Sequence, residues 1–118
     1  MAQSLNVGYI KGDVVLTPFP FSDDEEFKVR PALVLAVLPY GSGIDYLVCI
    51  ITTQPAPDPH LLPLTNADID GGRLSQSCFL RPGYVYTVGQ SSIKRRLGTL
   101  KPAKLEQVTR ILVSVLTA

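Results

Sequence analysis

At 118 residues, 46% hydrophobic and 18% charged, the chain has the size of one domain, residues 1–118, and enough apolar content for a packed core. Lys and Arg number 11 against 10 acidic residues, a net charge of +1. That balance excludes a general nucleic-acid coat, so any anion site must come from local placement of cations. One histidine and two cysteines far apart in sequence argue against a metal site, and a lone imidazole rules out paired-histidine catalysis. No metal or other cofactor is expected. Met1 to Gly8 lacks a basic-then-apolar leader, and the longest apolar runs are too short to cross a membrane. A soluble, cytoplasmic protein is expected.

Ten prolines and nine glycines cut the chain into short segments, the rhythm of a small barrel. Asp13 to Thr17 is a first strand, stopped by Pro18-Phe19-Pro20. Ser22 to Lys28 is a polar, acidic connection. Ala32 to Leu38 is a near-continuous apolar run, predicted as a strand buried on both faces. Tyr40-Gly41-Ser42-Gly43 suits a hairpin turn into a strand over Asp45 to Thr53. Pro55 to His60 is irregular, because its prolines lack donors. Leu61 to Leu64 and Cys78 to Leu80 are short strands separated by a Gly71-Gly72 loop. Tyr84 to Val88 alternates as a strand does, and Lys94 to Leu100 is predicted as the last strand.

Pro102 suits a first helical position. Leu105, Val108, Leu112 and Val115 then recur at helical spacing, with Ile111 and Leu116 widening the stripe. Lys104, Glu106, Gln107 and Arg110 take the other face. The expected class is mainly β with a C-terminal helix (α+β), as a compact SH3-like barrel or half-open sheet. Cys49 and Cys78 lie in apolar segments and are expected as buried, reduced thiols.

Four places carry chemical potential. Arg30, held extended by Pro31, can clamp a phosphate through two parallel hydrogen bonds, or pair with the acids Asp23-Asp24-Glu25-Glu26. Thr52, Thr53 and Gln54 close a strand with hydroxyls and an amide that can meet a phosphate or base edge; equally, Thr is a good strand residue. His60 reads as loop surface. Lys94-Arg95-Arg96 can track a phosphate backbone or form a solvated strand rim. No phosphate-cradling glycine loop or Gly-x-Ser-x-Gly elbow occurs, which removes the common nucleotide-binding and serine-hydrolase classes.

Lys11-Gly12-Asp13-Val14-Val15-Leu16, Pro18-Phe19-Pro20-Phe21-Ser22-Asp23 and Lys28-Val29-Arg30-Pro31-Ala32-Leu33-Val34-Leu35 together resemble the opening of the MazF/PemK toxins. The resemblance continues at Ile51-Thr52, Ser77 to Leu80, Thr87-Val88 and Leu97-Gly98-Thr99-Leu100 with the closing helix. It is weakest over Pro55 to Gln76. It implies the small SH3-like barrel of the MazF/PemK/CcdB type, a homodimer, and a toxin of a toxin–antitoxin pair that cuts single-stranded RNA without metal. The implied products carry 2′,3′-cyclic phosphate and 5′-hydroxyl ends. The implied partner is an antitoxin whose acidic, disordered tail occupies the RNA groove.

Arg30 and Thr52 match the family's catalytic arginine and threonine. Glu25 is the candidate base, since a guanidinium with a pKa above about 12 is a poor one. Phe19, Lys28, Thr53, Gln54, Arg81 and Lys94 are the expected RNA contacts. One departure stands out: some members carry Arg-x-Asp where this chain has Arg81-Pro82-Gly83, so no acid follows Arg81 at that spacing. Two alternatives remain open: a non-catalytic barrel that binds RNA or protein, and a gyrase-targeting toxin of the same fold.

Overall fold

The computed structural model describes residues 8–19 and 28–118. Alternation along the first strand, β1 (Asp13–Pro18), sends Val14 to one face of a sheet and Val15 to the other. The strands that follow are β2 (Val29–Tyr40), β3 (Gly43–Thr52), β4 (Leu62–Leu64), β5 (Ile69–Asp70), β6 (Cys78–Gly89) and β7 (Arg95–Leu100). They form one antiparallel sheet in the order β4-β6-β3-β2-β1-β7-β5, curled into a half-barrel with the helix α1 (Pro102–Thr117) at its end. This is the α+β class expected from the sequence.

Each face of the sheet carries its own core. Val14, Leu33, Cys49, Ile51, Leu64, Leu80, Leu100 and Val108 belong to the cluster under α1. Val15, Ala32, Val34, Tyr46, Val48, Val88 and Ile93 form the cluster on the opposite side. Tyr9 packs edge-on against Tyr46 there, with ring centroids 5.7 Å apart, and its N–H donates to the Tyr46 hydroxyl. Central strands buried on both sides explain the unbroken apolar runs of β2 and β3.

Three details correct the sequence reading. Burial on both faces holds only for Ala32 to Leu35; Val37 and Leu38 are exposed, because the β2–β3 hairpin continues to the Gly41-Ser42 turn past the core. Cys78 to Leu80 and Tyr84 to Val88 are not separate strands but the two halves of β6, which pairs with β3 on both sides of a bulge opposite Cys49 and Ile50. In α1, Val108 is fully buried, Leu105, Ile111 and Leu112 pack beside it, and Leu116 is 79% exposed. Leu116 therefore leaves the apolar stripe as the helix outruns the sheet.

Pro102 begins the helix as expected. Both cysteines are buried and unbridged. Among the described residues no helix is long and apolar enough to cross a membrane.

Candidate functional site

The site lies where β1 and β3 end, β2 begins and β6 bulges. Thr17 pairs with Arg30 in register, and the ladder runs one step further through a 3.0 Å bond from the Phe19 N–H to the Lys28 carbonyl. That step fixes Phe19 beside the start of β2. The Arg30 guanidinium stands over the Phe19 ring, 5.6 Å from its centroid, a cation–π distance.

Thr52 ends β3, and its hydroxyl accepts the N–H of Gln54 at 3.1 Å. The backbone thus occupies one lone pair of the hydroxyl and leaves its proton free to donate elsewhere. The same bond turns the chain so that Gln54 follows Thr52 around the strand end.

The β6 bulge supplies the other wall. Arg81 pairs with Ile50 and Val85 with Cys49, so Pro82, Gly83 and Tyr84 are extra residues in the ladder. In a regular strand, residues three apart point to opposite faces. The bulge cancels that alternation and sets the Arg81 guanidinium over the Tyr84 ring, 5.0 Å from its centroid.

A cleft of about 360 Å³ results, lined by Phe19, Arg30, Thr52, Gln54, Arg81 and Tyr84 with Ile50, Ile51, Pro55 and Ala56. Five residues predicted from sequence, Phe19, Arg30, Thr52, Gln54 and Arg81, thus share one cavity. Two guanidiniums can receive an anion, two rings can receive flat bases, and the hydroxyl and amide can orient them.

Other expected residues fall elsewhere. Thr53 faces a larger cavity of about 830 Å³, which Arg30 also lines, together with Arg73, Arg95 and Arg96. Lys94 is exposed and precedes β7, its backbone N–H donating to the Leu16 carbonyl at 2.8 Å. Its neighbours Arg95 and Arg96 are the members of that basic cluster that line the cavity. Lys28 is exposed beside β2. Glu25 and the acids around it lie outside the described residues.

Sequence reasoning missed Tyr84, Arg73 and Asp58. Tyr84 reaches the cleft only through the bulge, and Arg73 follows a Gly71-Gly72 turn that gave no sign of a cavity. Asp58 sits in the Pro55 to His60 loop, where its carboxylate accepts the Arg81 Nε–H at 3.0 Å and the His60 backbone N–H at 2.8 Å. The His60 N–H first, then Arg81, hold this carboxyl below its usual range. Among the described residues no group of three or more His, Cys, Asp or Glu side chains converges.

The fold is a β half-barrel whose cleft sets the cations Arg30 and Arg81 beside the aromatic rings of Phe19 and Tyr84. The chain matches the model of the PemK-like, MazF-like toxins of type II toxin–antitoxin systems over residues 10–116, and it belongs to that family. No curated protein sequence matches it.

Solved structures share the fold. One is an endoribonuclease in complex with its cognate antitoxin from a mycobacterial species, 16% identical, with a TM-score of 0.66 over 92% of this chain and 93% of that one. A second mycobacterial endoribonuclease is 16% identical, with a TM-score of 0.61 over 92% and 91%. The Mycobacterium tuberculosis toxin MazF-mt6 is 17% identical, with a TM-score of 0.66 over 89% and 96%.

Proposed function

We propose that this chain is the toxin of a toxin–antitoxin pair and cuts single-stranded RNA in the cytoplasm without a metal ion. The carrying observation is that Arg30, Thr52 and Arg81, from three different strands, line one cleft with Phe19 and Tyr84. Family membership and the endoribonucleases of the same fold support the reading.

In this reading a ribose 2′-oxygen attacks the adjacent phosphorus and the bond from phosphorus to the 5′-oxygen breaks. The ends are a 2′,3′-cyclic phosphate and a 5′-hydroxyl, the leaving oxygen having taken up a proton. Arg30 stabilises the extra negative charge of the pentacoordinate phosphate, and the Thr52 hydroxyl donates to a non-bridging oxygen. Glu25 is assigned as the base for the 2′ proton. Arg81 and Lys28 hold flanking phosphates, Phe19 stacks a base, and Gln54 and Thr53 meet base edges. Lys94 extends the cationic track.

The protein acts as a homodimer with the RNA in a groove across the interface. Its antitoxin covers that groove with an acidic, disordered tail.

The test is incubation of purified protein with a long single-stranded RNA in EDTA, followed by end-group analysis. Discrete cuts with 5′-hydroxyl ends that vanish in Arg30→Ala and Thr52→Ala, both still folded, are expected. Unchanged cutting by both variants overturns the residue assignment. Intact RNA with the wild-type protein on several sequences overturns the ribonuclease reading and favours a non-catalytic or protein-targeting barrel.

A further inference from the structure

Arg81 touches three things: the cleft it shares with Arg30 and Thr52, the face of Tyr84, and the carboxylate of Asp58. The last contact links two segments far apart in the chain. Asp58 stands in the proline-rich loop after β3, whereas Arg81 lies within β6 at the bulge. Pro82 and Gly83, which follow Arg81 in the strand, carry no side-chain acceptor for it.

The geometry of the contact is selective. Asp58 Oδ2 accepts from Nε of Arg81 at 3.0 Å, the nitrogen nearest the aliphatic stem. A guanidinium carries five N–H donors, and this bond uses only the one on Nε. The donors of the two terminal nitrogens stay available to an anion in the cleft. Meanwhile Oδ1 of the same carboxylate accepts the His60 backbone N–H at 2.8 Å, which fixes the carboxylate on the turn. Its side chain is 13% exposed, so solvent competes weakly for it.

We propose that Asp58 is a positioning residue for the reaction. It anchors Arg81 by Nε, and with Tyr84 beneath the guanidinium plane it presents the terminal nitrogens to the phosphate bound in the cleft. An unanchored arginine explores many rotamers and loses that freedom on every binding event. One already held along one edge and one face does not. Asp58 also lines the adjoining cavity of about 520 Å³, and Arg81 and Tyr84 stand between that cavity and the cleft, lining both. The anchor therefore fixes where one subsite ends and the next begins. This inference rests on the ribonuclease reading for its kinetics and on the loop geometry for its structure.

The experiment uses Asp58→Asn in the full chain. An asparagine keeps an oxygen for the His60 N–H and turns a nitrogen, itself a donor, toward the guanidinium. The turn is retained and the anchor is lost. Asp58→Asn is expected to stay folded and to melt roughly 5 °C below wild type, the scale of one lost hydrogen bond with the His60 turn kept. Its rate of RNA cutting should fall about tenfold, on the scale of one lost positioning contact. Arg81→Ala should fall at least as far, and the double variant no further than Arg81→Ala. Wild-type cutting by Asp58→Asn, or losses that multiply in the double variant, overturns the proposal.

A second readout does not need activity. The Nε–H of Arg81, seen by ¹⁵N-edited NMR, should be protected from hydrogen exchange in the wild type and unprotected in Asp58→Asn. Absence of protection in the wild type overturns the anchor even if RNA is cut. Protection with intact RNA leaves the anchor standing while the ribonuclease reading fails.

Discussion

The Thr99 hydroxyl donates to the Asp13 carboxylate at 2.9 Å, joining the first strand to the last across 86 residues. Asp13 is 2% exposed and also accepts the Ile10 N–H at 2.9 Å, while Arg96 approaches to 3.9 Å. The Gly-Asp-Val opening that marks the family is therefore a structural clasp at the start of β1, the end away from the cleft. Asp13→Ala strands two donors and should cost about 3 kcal/mol of stability, read as a lower urea midpoint. Thr99→Val removes one partner, leaves the Ile10 bond intact and should cost about 1 kcal/mol. Equal losses in the two variants would show that Asp13 acts through Thr99 alone.

Thr17 presents the opposite case. It is fully buried, and its hydroxyl is the one buried side-chain polar atom among the described residues that has no hydrogen-bond partner. Valine has nearly the same shape without the unpaired group. Thr17→Val should raise stability by about 1 kcal/mol, or roughly 4 °C in Tm. Thr17 sits opposite Arg30 in the ladder, so RNA cutting by the variant shows whether that hydroxyl serves the site instead. Unchanged cutting with higher Tm is the expected result.

The cleft was legible in the sequence where chemistry and strand ends coincide. Arg30 precedes a proline at a strand start, and Thr52 and Gln54 close an apolar strand just before three prolines. Those signals are local, and the cavity holds all three residues. The strands themselves were legible for the same reason, since alternation and prolines mark their ends. What was not legible depends on pairing. The continuity of β6 across Pro82-Gly83 exists because β3 bonds both halves, and the bulge alone carries Tyr84 under Arg81. Asp58 reads as an ordinary loop acid until the fold brings Arg81 beside it. Arg95 and Arg96, rather than Lys94, face the larger cavity because they lie on β7 opposite Leu16 and Val15.

The helix makes a graded prediction. Val108 is fully buried, Leu112 is half-buried against the same cluster, and Leu116 is 79% exposed. A carboxylate at Val108 would have no partner among the core side chains. Val108→Asp should cost more than about 3 kcal/mol and threaten folding. Leu112→Asp should lower Tm by several degrees, and Leu116→Asp should stay within about 0.5 kcal/mol of wild type. Thermal melts of the three variants check the order. A loss at Leu116 equal to that at Leu112 would mean a further surface covers the helix end in solution.

The buried thiols predict how stability responds to alkali. Desolvation pushes Cys49 from 9.0 up to about 12 and Cys78 up to about 11. Because the folded pKa values are raised, the unfolded chain releases these protons first. The thiols' contribution to stability is therefore constant below about pH 9 and falls as pH rises toward 11, by up to about 1.4 kcal/mol per pH unit for each thiol. Tyr86, pushed up to about 12 chiefly by burial and then by Cys49 and Tyr84, adds to the fall above about pH 10. Urea midpoints from pH 8 to pH 11 should show this slope, and Cys49→Ala should make it shallower. In the native state at pH 8 both thiols should resist iodoacetamide and react once urea unfolds the chain, because the thiolate is the reactive form. Rapid labelling of the native protein would place Cys49 or Cys78 within reach of solvent and contradict their burial in the core.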